Sequence, residues 1–149
     1  MKITGERVLA VPVQRVWDKL FDPETLKRCI PGCESVEKEG DALYKAVVAM
    51  AIGPLRARFA GKLQIHDAEA PVRCRLVFEG SGGAVGFAKG SVDVSLAEAE
   101  AGTRLAYEAD TQIAGKLAQV GARLIDSVAK KLAGEFFDRF EETVAAGAA

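Results

Sequence analysis

The stretch that decides the fold is residues 116–145, KLAQVGARLIDSVAKKLAGEFFDRFEETVA. Leu117, Val120, Leu124, Val128, Leu132, Phe136, Phe140 and Val144 recur every three or four residues, and Ile125, Ala129, Ala133 and Phe137 widen that stripe. Arg123, Asp126, Lys130, Asp138 and Glu142 fall largely on the opposite side. The spacing predicts one amphipathic helix over 116–145, with an apolar face broader than a coiled-coil seam. Such a helix runs roughly 45 Å, about the width of a small domain. It needs an apolar surface of its own length, and the rest of the chain has to supply it.

From residue 33 to 115 the pattern changes to period two. Segment 33–38 reads as a short strand, and 42–52 alternates Tyr44, Ala46, Val48, Met50 and Ile52 against Lys45 and small residues. Segment 55–66 sets Leu55, Ala57, Phe59, Gly61, Leu63 and Ile65 against Arg56, Arg58, Lys62, Gln64 and His66. Val72, Cys74, Leu76 and Phe78 oppose Arg73, Arg75 and Glu79 in 72–79. Ala88, Gly90, Val92, Val94 and Leu96 oppose Lys89, Ser91 and Asp93 in 87–96, and Leu105, Tyr107, Ala109 and Ile113 oppose Arg104, Glu108, Asp110 and Gln112 in 103–113. These are half-buried antiparallel strands, and their short links predict a meander.

Before them, 3–11 reads as a first strand, and VQRVWDKLF as a short helix with Trp17 packed underneath. Asp22 and Pro23 are an N-cap and a first helical position for a second short helix, which ends at Cys29-Ile30-Pro31-Gly32-Cys33. The prediction is an α+β domain over 1–145: a seven-stranded curved antiparallel sheet wrapped around the long C-terminal helix, with two short helices after the first strand. Residues 146–149 are expected to be a short flexible tail. Gly61, Gly86 and Gly90 mark places where the sheet can bend or bulge. Arg7 shares the strand parity of Ile3 and Leu9, and a bulge is expected to turn it outward.

The totals limit the function. A chain of 149 residues with 20 basic and 21 acidic side chains has no general basic field for nucleic acid. No apolar run approaches the ~18 residues of a membrane span. The start, MKITGERVLAVP, has no apolar signal core, so a cytoplasmic location is expected. Cys29, Cys33 and Cys74 are too few and too scattered for a disulfide framework or a metal site, and they read as small buried apolar residues. His66, the single histidine, lies on a polar strand face and is expected to be solvated. No nucleophile elbow is present, and the Gly-rich run at 80–90 opens no helix, so the dinucleotide fingerprint fails on context. No catalytic residue is assigned; an acid–base role for Tyr44, Tyr107 or Arg7 stays open. Arg56, Arg58, Lys62, Arg73, Arg75 and Lys89 form an outer basic stripe, read as a solvated face with charge pairs to Glu79 and Asp93.

A meander puts alternate turns at opposite ends. One end collects charged turns at 39–41, 67–71 and 98–102. The other collects the glycine-rich, nearly uncharged turns at 52–54, 80–87 and 113–116, together with the Cys29–Cys33 turn. Turns normally face water, so an uncharged, greasy end suggests the mouth of a pocket for an apolar ligand, or a patch for lipid or a partner. Inward positions near that end are small (Ala46, Ala57, Gly61, Ala88, Gly90 and Ala109), while Phe136, Phe137 and Phe140 supply bulk at the charged end. Missing volume in a close-packed interior points to a cavity at the glycine end. Its expected wall is Met50, Phe59, Phe78, Val85, Phe87, Leu117, Val120 and Leu124, and its expected rim Ile30, Pro31, Gly53, Pro54, Gly82, Gly83 and Ile113.

These pieces resemble the helix-grip fold of the START and birch-pollen-allergen superfamily (SRPBCC), and more narrowly the CoxG family, named for the G subunit of carbon monoxide dehydrogenase. The likeness rests on MKITGE at 1–6, CIPGCESVEK at 29–38, IGPLRARFAGK at 52–62, GGAVGFAKGS at 82–91 and GKLAQVGARLIDSVAKKLAGEFFDRF at 115–140. The resemblance implies a bacterial accessory protein that docks a CO dehydrogenase-type molybdenum hydroxylase at the cytoplasmic face of the inner membrane and holds a quinone in its cavity. Family members often carry a C-terminal extension that reaches the membrane. The sequence here ends at Ala145-Ala146-Gly147-Ala148-Ala149, so any membrane contact is expected to be peripheral. No intrinsic cofactor is expected, only a bound quinone or lipid. The rival expectations are a cyclase- or dehydratase-like enzyme of the same superfamily and a pure hydroxylase assembly factor using the basic stripe.

Overall fold

The alternation in the chain becomes seven strands: β1 (Lys2–Leu9), β2 (Cys33–Lys38), β3 (Leu43–Ile52), β4 (Leu55–Glu69), β5 (Arg73–Ser81), β6 (Phe87–Ala99) and β7 (Gly102–Ala114). The helices are α1 (Val13–Leu20), α2 (Pro23–Cys29), α3 (Lys116–Gln119) and α4 (Ala122–Ala146). This is a computed structural model, and it describes residues 1–146. Ala146 closes α4, and the rest of the expected tail, 147–149, lies outside the described residues. The strands form one antiparallel sheet in the order β1-β7-β6-β5-β4-β3-β2, so β2 to β7 are the predicted meander and β1 adds to its far edge. Asp22 caps α2: its carboxylate accepts from the Thr25 backbone N–H at 3.2 Å and from the Thr25 hydroxyl at 2.7 Å, with Pro23 in the first turn.

Three expectations need correction. The single helix over 116–145 is two, broken at Val120–Gly121. Gly121 has φ +98°, a backbone state open to glycine and strained for other residues. The Gly121 carbonyl then accepts from the Ile125 N–H at 3.2 Å and starts α4 afresh. Val72 precedes β5 and is 50% exposed, so it is not an inward strand position. The irregularities in strand register fall between Cys33 and Ser35 and between His66 and Glu69, not at Gly61, Gly86 or Gly90. Gly61 and Gly90 instead allow close strand approach: a side chain at Gly61 would run into the Glu79 carbonyl, and one at Gly90 into the Asp110 carbonyl.

Arg7 is also placed differently. β1 pairs with β7 without interruption from Lys2–Asp110 to Leu9–Thr103, so Arg7 keeps inward parity. Its guanidinium reaches the flank of α4, 2.5 Å from Asp138, 3.9 Å from Glu141 and 3.5 Å from the Gly134 carbonyl. There it clasps the C-terminal half of α4 to the edge strand.

The packed core sits at the charged-turn end. Leu9, Val11, Val16, Trp17, Leu96, Leu105, Phe140 and Val144 are buried together. The Thr103 hydroxyl, fully buried among them, donates to the Val11 carbonyl at 2.6 Å. Arg15 donates to the Val144 carbonyl at 3.2 Å, which holds the end of α4 on this core.

Candidate functional site

Away from that core, small inward side chains leave α4 standing off the sheet. The result is an apolar cavity of about 480 Å³, within the range of small-molecule sites. Ala46, Val48, Met50, Phe59, Gly61, Phe78 and Ala88 wall it on the sheet side, and Ile125, Val128, Ala129 and Leu132 on the α4 side. Ile30, Ile52, Ile113 and Leu117 carry its lining to the glycine-rich end. A smaller chamber of about 230 Å³ lies deeper, bounded by Leu76, Val92, Val94, Tyr107, Ala133, Phe136 and Phe137. The expected uneven filling is therefore present, with one change. Phe140 is packed solid, but Phe136 and Phe137 line the inner chamber instead of filling it.

Of the expected wall, Met50, Phe59, Phe78 and Leu117 border the cavity, and so do Ile30 and Ile113 of the expected rim. Val85, Phe87, Val120 and Leu124 lie outside it, as do Pro31, Gly53, Pro54, Gly82 and Gly83. Phe87 is off the parity of Ala88, faces outward and is 43% exposed. Leu124 packs against the β3–β4 turn, where its methyl would meet any side chain at Gly53. Ile125, Ala129 and Leu132 belong to the helical stripe but not to the expected wall. Leu63 borders the cavity too, in keeping with its inward parity, and so do Leu26 and Val36, which nothing in the sequence pattern singles out.

Polar groups are scarce inside. Among the residues lining the outer cavity, Tyr44 and Thr111 alone carry hydroxyls on inward-facing positions. The Tyr44 hydroxyl donates to the Phe21 carbonyl at 2.6 Å, and burial pushes its pKa above the ordinary phenol range. Tyr107 lines the inner chamber, its ring stacked on Phe137 at 5.9 Å. Arg7 is on the α4 flank. The three polar residues named for acid–base work thus occupy three separate places.

The thiols are free. Cys29 and Cys74 are buried, whereas Cys33, expected to be buried as well, is only half-buried; burial raises the Cys74 pKa to about 11, helped by the nearby Asp93 carboxylate. Among the described residues no cluster of His, Cys, Asp and Glu could hold a metal ion. His66 is exposed beside Gln64. On the outer face Arg58 meets Glu34 at 2.9 Å, Arg75 meets Asp93 at 2.9 Å and Arg73 meets Glu69 at 2.8 Å, so much of the basic stripe is internally paired. A larger hollow of about 930 Å³ on that face is edged by exposed charged groups, among them Glu6, Asp93 and Glu108, and gives an apolar ligand no cover. No described helix is long and apolar enough to cross a membrane.

Residues 5–145 match the model of the CoxG family, described as the G subunit of carbon monoxide dehydrogenase. No curated protein matches the chain. Among solved structures, a conserved protein from Geobacillus kaustophilus is 31% identical and superposes with a TM-score of 0.91, covering 98% of this chain and 96% of its own. A protein from Thermus thermophilus (20% identity, TM-score 0.74, all of both chains) and one from Mycobacterium smegmatis (19%, 0.70, 98% of this chain and 90% of its own) share the fold.

Proposed function

The chain belongs to the CoxG family, and from that premise we propose that it binds a quinone or other lipid in its internal cavity as an accessory protein of a CO dehydrogenase-type molybdenum hydroxylase. The family and the helix-grip fold fit an accessory role. The observation that carries the ligand reading is the outer cavity: about 480 Å³ walled by aliphatic and aromatic side chains, with one of its two inward hydroxyls already committed to the Phe21 carbonyl. Such walls offer water few partners, and sites of this kind suit apolar molecules. In this reading the greasy end, with Phe87 exposed and Ile30 and Ile113 at the lining's edge, is where ligand passes between lipid and cavity and where contact with the membrane is peripheral.

The test is extraction of the purified protein with organic solvent and mass spectrometry of the extract, followed by titration of the delipidated protein with menaquinone and ubiquinone analogues. Near-stoichiometric lipophile and saturable binding are expected. Ala129→Phe, which fills the cavity from α4, should weaken binding at least tenfold. A purified protein that yields no lipophile and binds no quinone or lipid would end this reading.

A further inference from the structure

We propose that the two chambers form one channel for a single long hydrocarbon tail, narrowed at Leu26 and Leu63, so that the protein selects amphiphiles by tail length. The inference rests on the ligand-binding reading above and adds where the tail ends. Leu26 and Leu63 border both the outer and the inner chamber. The chambers follow one another along the fold's axis. On β5 Phe78 lines the outer and Leu76 the inner, and on α4 Leu132 lines the outer and Ala133 the inner. Inward-facing Leu76, Phe136 and Phe137 stay only partly buried although the packed core lies directly beyond them, so their surfaces are free to meet a guest.

Chemistry sets the direction. The inner chamber presents carbon, a thiol and the Tyr107 ring, with no inward group placed to satisfy a carbonyl. A polar head there would go unpaired, whereas the outer chamber runs through Ile30, Ile52, Ile113 and Leu117 to the glycine-rich end, where a head can meet water. The tail therefore points inward and the head outward. At roughly 30 Å³ per small group, the share a water takes in the liquid, the inner 230 Å³ adds room for about seven or eight carbons. Leucine suits a partition that yields: its side chain can change rotamer to let a slender chain through, where a ring would block.

The experiment uses the delipidated chain and two homologous series of naphthoquinones, with n-alkyl and with prenyl tails, measuring Kd by titration at each length. For the wild type, affinity should keep rising beyond the length that the outer chamber holds and then level off. Leu63→Phe, which closes the passage, should weaken long-tailed ligands at least tenfold more than short-tailed ones. Ala133→Phe, which fills the inner chamber from the opposite wall, should bring the plateau to the same shorter length. A plateau unmoved by both variants would overturn the channel while leaving ligand binding intact. Failure of the folded wild type to bind any member of either series would overturn the ligand-binding reading as well.

Discussion

A hydroxyl on an apolar wall matters little while water reaches it and becomes selective once a ligand excludes that water. Thr111 is in that position, since it lies inward on β7 between Ala109 and Ile113 and borders the outer chamber. Thr111→Val keeps the shape and removes the hydroxyl. Affinity for a tailed quinone should fall roughly two- to tenfold, the worth of about one hydrogen bond, while a hydrocarbon of equal tail length should bind as well or better in the same titration. Cys74 gives a second test. Its folded-state pKa is raised by burial to about 11 from an ordinary value of 9.0. The fold therefore favours the protonated thiol. The stability that this contributes is complete below about pH 9 and is lost as pH climbs through 11. Urea unfolding of wild type and Cys74→Ala at intervals from pH 8 to 11 should show the wild type losing ground to the variant only above pH 9. At this scale parity was the legible signal. It placed Met50, Phe59 and Phe78 on the cavity wall, and it also forbade Phe87, one residue from inward-facing Ala88, from sharing that wall.

The break between α3 and α4 shows what periodicity leaves undecided. A stripe repeating every 3.6 residues continues on paper through Gly121, because a glycine alters no apolar count. Only the backbone angle at that glycine ends the helix. The consequence reaches the site, since Leu117 on α3 seals the cavity's end while α4 restarts with Ile125 and Ala129 inward. Gly121 and Gly134 both have open space where a side chain would go, so substituting each isolates the backbone effect. Gly121→Ala, forced to φ +98°, should cost about 1–2 kcal/mol. Gly134→Ala, inside regular helix, should add roughly 0.5–1 kcal/mol. Chemical denaturation of the two variants checks both signs, and equal effects would mean that α3 and α4 are one helix in solution. The clasp of Arg7 on Asp138 was beyond sequence reading for a related reason. It joins residues 131 positions apart, and it depends on α4 lying beside the edge strand.

The whole fold was legible because two periods met: six alternating segments and one helical stripe have a single economical way to bury their apolar faces. The hollow was legible in part: of the six small inward residues, Ala46, Gly61 and Ala88 line it, while Ala57, Gly90 and Ala109 do not. Its depth was not, because Phe136 and Phe137 look like filler until their neighbours are known to leave space around them. The energetics of that hollow argue for a resident. Left empty, the apolar walls around these 480 Å³ forgo the contacts that a close-packed interior makes. Water relieves such a penalty only where polar partners exist, and here the inward hydroxyls are those of Tyr44 and Thr111. An apolar guest removes it directly. Stripping lipophile should therefore lower the melting temperature, and a ligand added at about a hundred times its Kd should restore roughly 2.7 kcal/mol, near 5–10 °C for a chain of this size. Ala129→Phe should behave oppositely, melting higher than the stripped wild type and gaining little from ligand. Scanning calorimetry of the two proteins, each with and without ligand, measures all four states. A stripped wild type that melts no lower than the loaded one would mean that the cavity closes on itself when empty, and that the fold's stability owes nothing to a guest.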